Sequence, residues 1–494
     1  MRVAVGLAAL DALFPAVGYV FLATARLTRL LPSGLRLLGL SYLTGWAILG
    51  STLTLTLIAG LDPQVASVVL ITIVVIAICI LVGLRRQRRP APGRAHARMR
   101  AGERLVAGLG AAVLTLAGLA AVAVSLRSEW NPASDFDALW FWIPKAESIY
   151  YSHGLNASLW GSLEHPEYPP LAPTLDAVVF HFSGGVHPSL LPFQQTLLGI
   201  AFVLALLALL DRYVPAWLAF PAVAFVASAP WFWDRLQSTL PDQALSYLIA
   251  AAAVVCFLWL LEPRCAWIAL AVPLIAAATL IKLEGELFAS ALVAVVILVG
   301  VGRHRRAALP AAWLVLGLLT VLPWHLWLSR HELPTSTSDY RLGDLFRPSF
   351  LLHRTGRLSY ALHAMLSQGA ALLGAASPFG ALERQLGGLG TPLTLVVYLF
   401  VLVLVGRRQP ALAIALGAWI FVAFAGLTVI YWIGRPAIAW YVEVTIRRVE
   451  PTIALVAAAL LALLAGLALR TQEAELAELA PAADELSPAP LATS

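Results

Sequence analysis

The residues best equipped for chemistry lie in one polar stretch between apolar runs, Ser128 to Leu171, which carries Asp135, Asp137, Lys145, Glu147, Glu164, His165 and Glu167. Asp135 and Asp137 follow Pro132 at a spacing of two, so in extended chain both carboxylates face the same way. Such a pair can hold a divalent cation, or divide its work between an ionised base and a group that orients it. It is also a common helix start, with Asp135 capping a segment from Asp137 to Tyr151. His165-Pro166-Glu167-Tyr168-Pro169-Pro170 reads as a stiff extended piece, because proline fixes φ and biases the preceding residue away from helix. It can present Glu164, His165 or Glu167 to an acceptor, or His165 to a metal shared with Asp135 and Asp137. Capping of the loop is the plainer use of these side chains.

Cations are the second half of the chemistry. Of 33 basic residues only Lys145 and Lys282 are lysine, and both stand beside carboxylates. An ammonium on a flexible stem is a point charge able to reach a phosphate oxygen, although a lysine near a membrane face also snorkels to the headgroups without further purpose. Asp242 follows Pro241 ahead of an apolar run, and Glu284 and Glu286 open another; a helix start explains each, and an acid drawn into the bilayer needs a partner, for which Lys282 is at hand. The aromatics Trp140, Phe141, Trp142, Tyr150 and Tyr151 fit a sugar-stacking wall or an interfacial belt.

The elements that must position these groups are membrane helices. Sixty per cent of residues are hydrophobic, 12% are charged and mean hydropathy is +0.83. A water-soluble fold cannot hide that much apolar surface, so the class is an all-α polytopic membrane protein. Thirteen spans are expected, near 3–24, 36–60, 64–84, 104–126, 189–210, 214–230, 242–261, 266–281, 286–302, 309–329, 391–405, 411–433 and 449–469. Residues 1–25 read as the first span and not as a secretory signal, because Asp11 interrupts the run and no Ala-x-Ala site follows. Cys79, Cys256 and Cys265 show neither disulfide nor zinc spacing. The net charge of +6 comes from arginines that abut helix ends without interleaved aromatics, which argues for membrane orientation and against nucleic acid.

Arginines crowd the loop 85–104 and recur at Arg26, Arg29, Arg36, Arg212, Arg264, Arg303, Arg305, Arg306, Arg407 and Arg408, in every loop that alternation assigns to the cytoplasm. The amino terminus is then outside. The 128–188 loop, the turns 231–242, 282–286 and 434–448, and the segment 330–390 converge on the outer face. Arg235, Lys282, Arg435, Arg447 and Arg448 lie there against the trend, and cations at an outer face need an anionic reason. The chain divides into an amino-terminal three-span module with its basic linker, 1–103, a transmembrane core, 104–469, and a disordered cytoplasmic tail, 470–494. Within 330–390, an amphipathic helix over 359–374 is expected along the interface.

Asp-Phe-Asp-Ala-Leu-Trp (135–140), Lys-Ala (145–146), Tyr-Pro-Pro-Leu (168–171), Leu-Pro-Asp-Gln-Ala-Leu (240–245), Ile-Lys-Leu-Glu-Gly (281–285) and Arg-Arg-Val-Glu-Pro (447–451) together resemble the GT-C superfamily. Its members are integral-membrane glycosyltransferases using polyprenyl-phosphate sugars, such as protein O-mannosyltransferases and the aminoarabinose transferase of lipid A. The likeness covers about 104–469; each motif is short, and their order and common sidedness carry the weight. It implies a GT-C type first outer loop and inverting transfer from a polyprenyl-phosphate sugar to an envelope glycan, lipid or protein. By the same likeness Asp137 or Asp135 is the base, Asp242 the later acid, and Lys282 the donor-phosphate ligand. Lys145, Arg447 and Arg448 are further phosphate candidates, and Trp140, His165, Glu167, Tyr168 and Glu284 are candidate acceptor or sugar contacts. The family's acidic pair is adjacent, whereas here Ala138 follows Asp137, which leaves the choice of base and a divalent cation open. A secondary transporter for an anionic solute, or a non-catalytic scaffold, is the alternative; a transporter calls for polar residues midway along several spans, where only Asp11 stands out. The arginine- and alanine-rich bias fits a bacterial genome rich in G and C.

Overall fold

In lipid every backbone N–H and C=O must be satisfied within the chain, and runs of Leu, Ala, Val and Ile do this as helices. The computed structural model describes residues 2–84, 99–127, 136–227, 232, 239–304, 307–335, 339–375, 403 and 406–484. Its helices are α1 (Arg2–Thr24), α2 (Leu35–Ile58), α3 (Val65–Leu84), α4 (Ala101–Arg127), α5 (Ile143–Ser152), α6 (Ala157–Ser162), α7 (Leu171–Ser183), α8 (Leu191–Leu210) and α9 (Ala216–Ala227). They continue as α10 (Pro241–Leu261), α11 (Cys265–Thr279), α12 (Leu283–Arg303), α13 (Ala308–Arg330), α14 (Pro348–Leu352), α15 (Thr355–Ala375), α16 (Pro410–Ile433) and α17 (Ile438–Asp484).

Ten of these are long and apolar enough to cross a membrane, the build of a multi-pass membrane protein. They are α1 to α4, α8, α10, α12, α13, α16 and the Ile438–Arg470 part of α17. The spans expected at 214–230 and 266–281 appear as the shorter apolar helices α9 and α11, and the one at 391–405 lies outside the described residues. The last helix continues to Asp484, where a disordered tail is expected from 470. Ala, Leu and Glu fill that stretch, and all three are strong helix formers.

The core is centred on α10. Every residue from Pro241 to Leu260 is buried, as a helix apolar all round should be when other helices enclose it. α8, α11, α12 and α17 pack around it. α3, by contrast, buries only Val68 and Thr72. The first three spans do not stand apart, since α1 packs on α7, and α2 packs on α7, α8 and α11. α1 and α2 approach each other through glycines: a methyl group on Gly18 would collide with the Ser41 carbonyl oxygen, and one on Gly45 with that of Phe14. Small residues are what allow membrane helices to approach this closely. Gly45→Ala is therefore expected to cost about 1–3 kcal/mol by forcing the pair apart, read as a lowered midpoint of thermal unfolding in detergent.

The segment following α4 is not a plain loop. From Ala138 to Trp142 it makes a π-helical turn, then α5, α6 and α7 follow, with Asn156 capping α6 by accepting a hydrogen bond from the Leu159 N–H at 3.0 Å. The helix expected over 359–374 appears as α15, packed on α16 and α17. It buries Ala361 and Met365 and leaves Leu362 and Leu366 facing outward. Arg357 ties α15 to the end of α16 and the turn after it by donating to the carbonyls of Tyr431 and Pro436, both at 2.7 Å.

Candidate functional site

Asp242, Lys282, Glu284 and Arg448 meet where α10 and α12 begin. Asp242 is the second residue of α10, where an acid is favoured by the free N–H groups of the first turn. Lys282 precedes α12 in extended conformation, and Glu284 lies in that helix's first turn. Gly285 lets the turn lie against α11, because any Cβ there would strike the Ala278 carbonyl oxygen. Arg448 comes from α17.

Lys282 Nζ donates to Asp242 Oδ1 at 2.8 Å and stands 3.2 Å from Glu284 Oε1. Arg448 donates one nitrogen to Asp242 Oδ2 at 3.1 Å and another to Asp137. The result is an alternating row, Asp137, Arg448, Asp242, Lys282, Glu284, with Asp242 and Lys282 each 4% exposed. Charges this deep persist only when paired and hydrogen-bonded. Among the described residues Glu284 Oε2 and Arg448 Nε are nevertheless buried without a protein partner, the kind of unmet polar atom that a ligand satisfies.

The row borders a cavity of about 570 Å³. Asp137, Glu164, His165, Lys282, Glu284 and Arg448 supply much of its polar wall, and Tyr168, Ile430, Tyr431 and Val444 much of the rest. Phe136, Trp140 and Trp440 also line it and are exposed. The pocket is therefore charged at its base and aromatic at its mouth.

The stiff piece over 165–170 is held from behind. Lys145 Nζ donates to the His165 carbonyl at 2.5 Å, Trp160 Nε1 to that of Pro166 at 2.9 Å, and Trp324 Nε1 to that of Glu167 at 3.0 Å. Lys145 corrects the expectation that it binds donor phosphate. It is wholly buried, its ammonium lies within 5.1 to 5.7 Å of the Phe141, Trp142, Trp160 and Tyr168 ring centres, and it does not line the cavity. Burial pulls its pKa down to about 7 despite the nearby Glu167 and Glu164 carboxylates.

Glu167 likewise does not line the cavity; it is 2% exposed and turned toward His165 Nδ1 at 3.1 Å. Although burial works against ionisation, the hydrogen bond and charge of His165 hold its pKa below the ordinary carboxylate value. Arg447 is exposed and off the cavity, whereas Arg448 faces in. Neighbours on a helix point about 100° apart, so only one of the pair can serve.

Asp135 lies outside the described residues. Among the described residues no group of three or more His, Cys, Asp or Glu is arranged to hold a metal ion. Asp137 is turned to Arg448 and His165 to Glu167, which does not fit a shared divalent cation. Sequence reasoning missed Asp339, Tyr340, Tyr431, Tyr441 and Thr445 on the cavity wall. The first two lie in a segment with no helical period, Tyr431 lies in an expected span, and Tyr441 and Thr445 lie in the expected outer turn 434–448. Also unforeseen is Glu450, buried and, among the described residues, with neither carboxylate oxygen partnered, although it stands inside the Arg-Arg-Val-Glu-Pro motif. Compared with known proteins, the chain matches no protein-family model, no curated protein and no solved structure.

Proposed function

We propose that the protein is an inverting glycosyltransferase that moves a sugar from a polyprenyl-phosphate donor to a cell-envelope acceptor at the outer face of the membrane. The observation that carries this reading is the buried row of alternating charge at the base of a cavity whose mouth is exposed aromatic side chain. A donor with a lipid tail and a phosphate head needs both features at once.

Lys282 and Arg448 hold the phosphate, with the unpartnered Nε of Arg448 as a ready donor. Charge-assisted hydrogen bonds from two cations stabilise the negative charge that grows on the leaving phosphate. The acceptor oxygen attacks from the opposite side while a base on the wall takes its proton; the resemblance points to Asp137 for that base. Arginines cluster at the other end of the bundle, where Arg212 donates to Glu262 at 2.6 Å and Arg36 pairs with Asp211. That end is read as cytoplasmic, with the carboxyl terminus inside and the amino terminus outside. Asp11, the acid that the sequence places midway along a span, is committed to Tyr42 at 2.8 Å and Gln194 at 3.1 Å and is not offered to a solute.

Two measurements test the reading. Mass analysis of envelope glycans from cells lacking the gene is expected to show one sugar substituent missing, and an unchanged envelope would overturn the proposal. Titration of the protein in nanodiscs with polyprenyl phosphate is expected to show Lys282→Ala binding about 10- to 100-fold more weakly, the worth of one charge-assisted contact. Equal affinity would remove Lys282 from the phosphate site.

A further inference from the structure

His165, on the cavity wall, is braced from several sides. Its φ is +52°, in the left-handed region that a residue with a side chain seldom adopts and that is held only when the surroundings impose it. The surroundings do so: the carbonyls of His165, Pro166 and Glu167 are each fixed by a different side chain, from Lys145, Trp160 and Trp324 in turn. The ring is packed against Phe141 and Tyr168, with centroids 5.4 and 5.2 Å away. Nδ1 is committed to the buried Glu167 carboxylate. Among the described residues Nε2 has no protein partner, and His165 lines the cavity.

We propose that His165, with Glu167 behind it, is the general base of the transfer and that Asp137 is a positioning residue for Arg448. The assignment rests on the glycosyl-transfer reading given above. A carboxylate on one imidazole nitrogen fixes the tautomer so that the other nitrogen accepts a proton, and steadies the cation that results. Asp137 is less suited, because Arg448 already donates to its carboxylate and is needed for phosphate. In the step itself the acceptor O–H bond breaks and its proton passes to His165 Nε2. The acceptor oxygen bonds to the anomeric carbon, and the bond from that carbon to the phosphate oxygen breaks with its electron pair remaining on polyprenyl phosphate. The imidazolium is balanced by Glu167.

The charged and titratable groups around His165 are Glu167 on its own segment, Lys145 from α5, and Glu164, Tyr168 and Asp339 on the cavity wall. Burial alone would lower the imidazole pKa, but the hydrogen bond and charge of Glu167 outweigh it and raise the value above the ordinary one. A base works when neutral, so transfer should rise with pH through the His165 pKa. Glu167→Gln removes the raising charge and should move that rise to lower pH.

The test uses membranes from cells lacking the gene, resupplied with each full-length variant, so that native donor and acceptor are present. His165→Gln is expected to lower transfer by about 100- to 10,000-fold, as loss of a general base does. Glu167→Gln should retain part of the activity, with its acid limb shifted down. Carbethoxylation of His165 by diethyl pyrocarbonate, followed against pH by peptide mass spectrometry, should show the same downward shift in that variant. This also reports that the fold is intact. Wild-type transfer by His165→Gln, or a His165 titration unmoved in Glu167→Gln, overturns the assignment. If Lys282→Ala abolishes transfer while His165→Gln does not, only the choice of base fails. If neither alters the envelope glycan, the transfer reading fails with it.

Discussion

Asp242→Asn is expected to abolish transfer and to destabilise the fold by about 3 kcal/mol, the lower end of what loss of one member of a buried ion pair costs. The carboxylate stands between Lys282 at 2.8 Å and Arg448 at 3.1 Å and is 4% exposed. An asparagine leaves one oxygen for two cations at the base of the cavity, so each repels the other at short range. Arg448 would then lean on Asp137 alone, and Lys282 on Glu284. Phosphate binding needs both cations aimed into the cavity, and Asp242 is what holds them side by side. Thermal unfolding in detergent reads the stability, and transfer in membranes reads the function. A second variant separates the two: Asp242→Asn with Lys282→Met removes the surplus charge and is expected to regain most of the stability, because apolar replacement of a buried pair is often neutral. It should regain no activity. A single Asp242→Asn protein as stable and active as the wild type would show that the row is not what organises this site.

Much of that row was legible because Asp242, Lys282 and Glu284 stand at helix starts, whereas Arg448, expected at the start of the last span, lies inside α17. Pro241-Asp242 reads as a helix start and is one, yet the same carboxylate also bridges two cations, so the capping and functional readings do not compete. Lys282 could be paired in advance with Asp242, because an acid and an ammonium at neighbouring helix starts have few other partners in a membrane. Lys145 was not legible. Its local sequence offers the same carboxylates as that of Lys282, and what separates them is an aromatic cage assembled from residues 141, 142, 160 and 168. In the sequence Phe141 and Trp142 read as a sugar-stacking wall or an interfacial belt and Tyr168 as a sugar contact, and nothing gathers them with Trp160 around one ammonium. Arg447 and Arg448 could not be told apart either, since the rotation of α17 about its axis decides which enters the cavity. Asp339 and Tyr340 escaped notice because no periodicity places them, and only the fold of the segment before α15 carries them to the wall.

Lys145→Met is the second large effect expected, and its signature is a change in how stability depends on pH. The folded protein holds the Lys145 pKa near 7, against a model-peptide value of 10.5, because burial disfavours the ammonium. Between those two values the unfolded chain keeps a proton that the folded chain has released. Stability rises with pH wherever the unfolded state binds more protons. The wild type should therefore gain stability from about pH 7 to about pH 10, and below that window it bears the full cost of burying a charge. Methionine carries no proton and keeps the length and apolar stem, so that part of the slope vanishes. The substitution also leaves the buried His165 carbonyl unpaired, a loss of about 1–3 kcal/mol at every pH. The two stability curves are thus expected to cross, with the variant favoured on the acid side and the wild type on the alkaline side. Parallel curves would mean that Lys145 is not held neutral by its cage. Transfer should fall in the variant at all pH values, because the brace on His165 has lost one of its three carbonyl contacts. Lys145→Arg should not restore it: a guanidinium is larger, keeps its charge, and cannot enter a space closed by four rings.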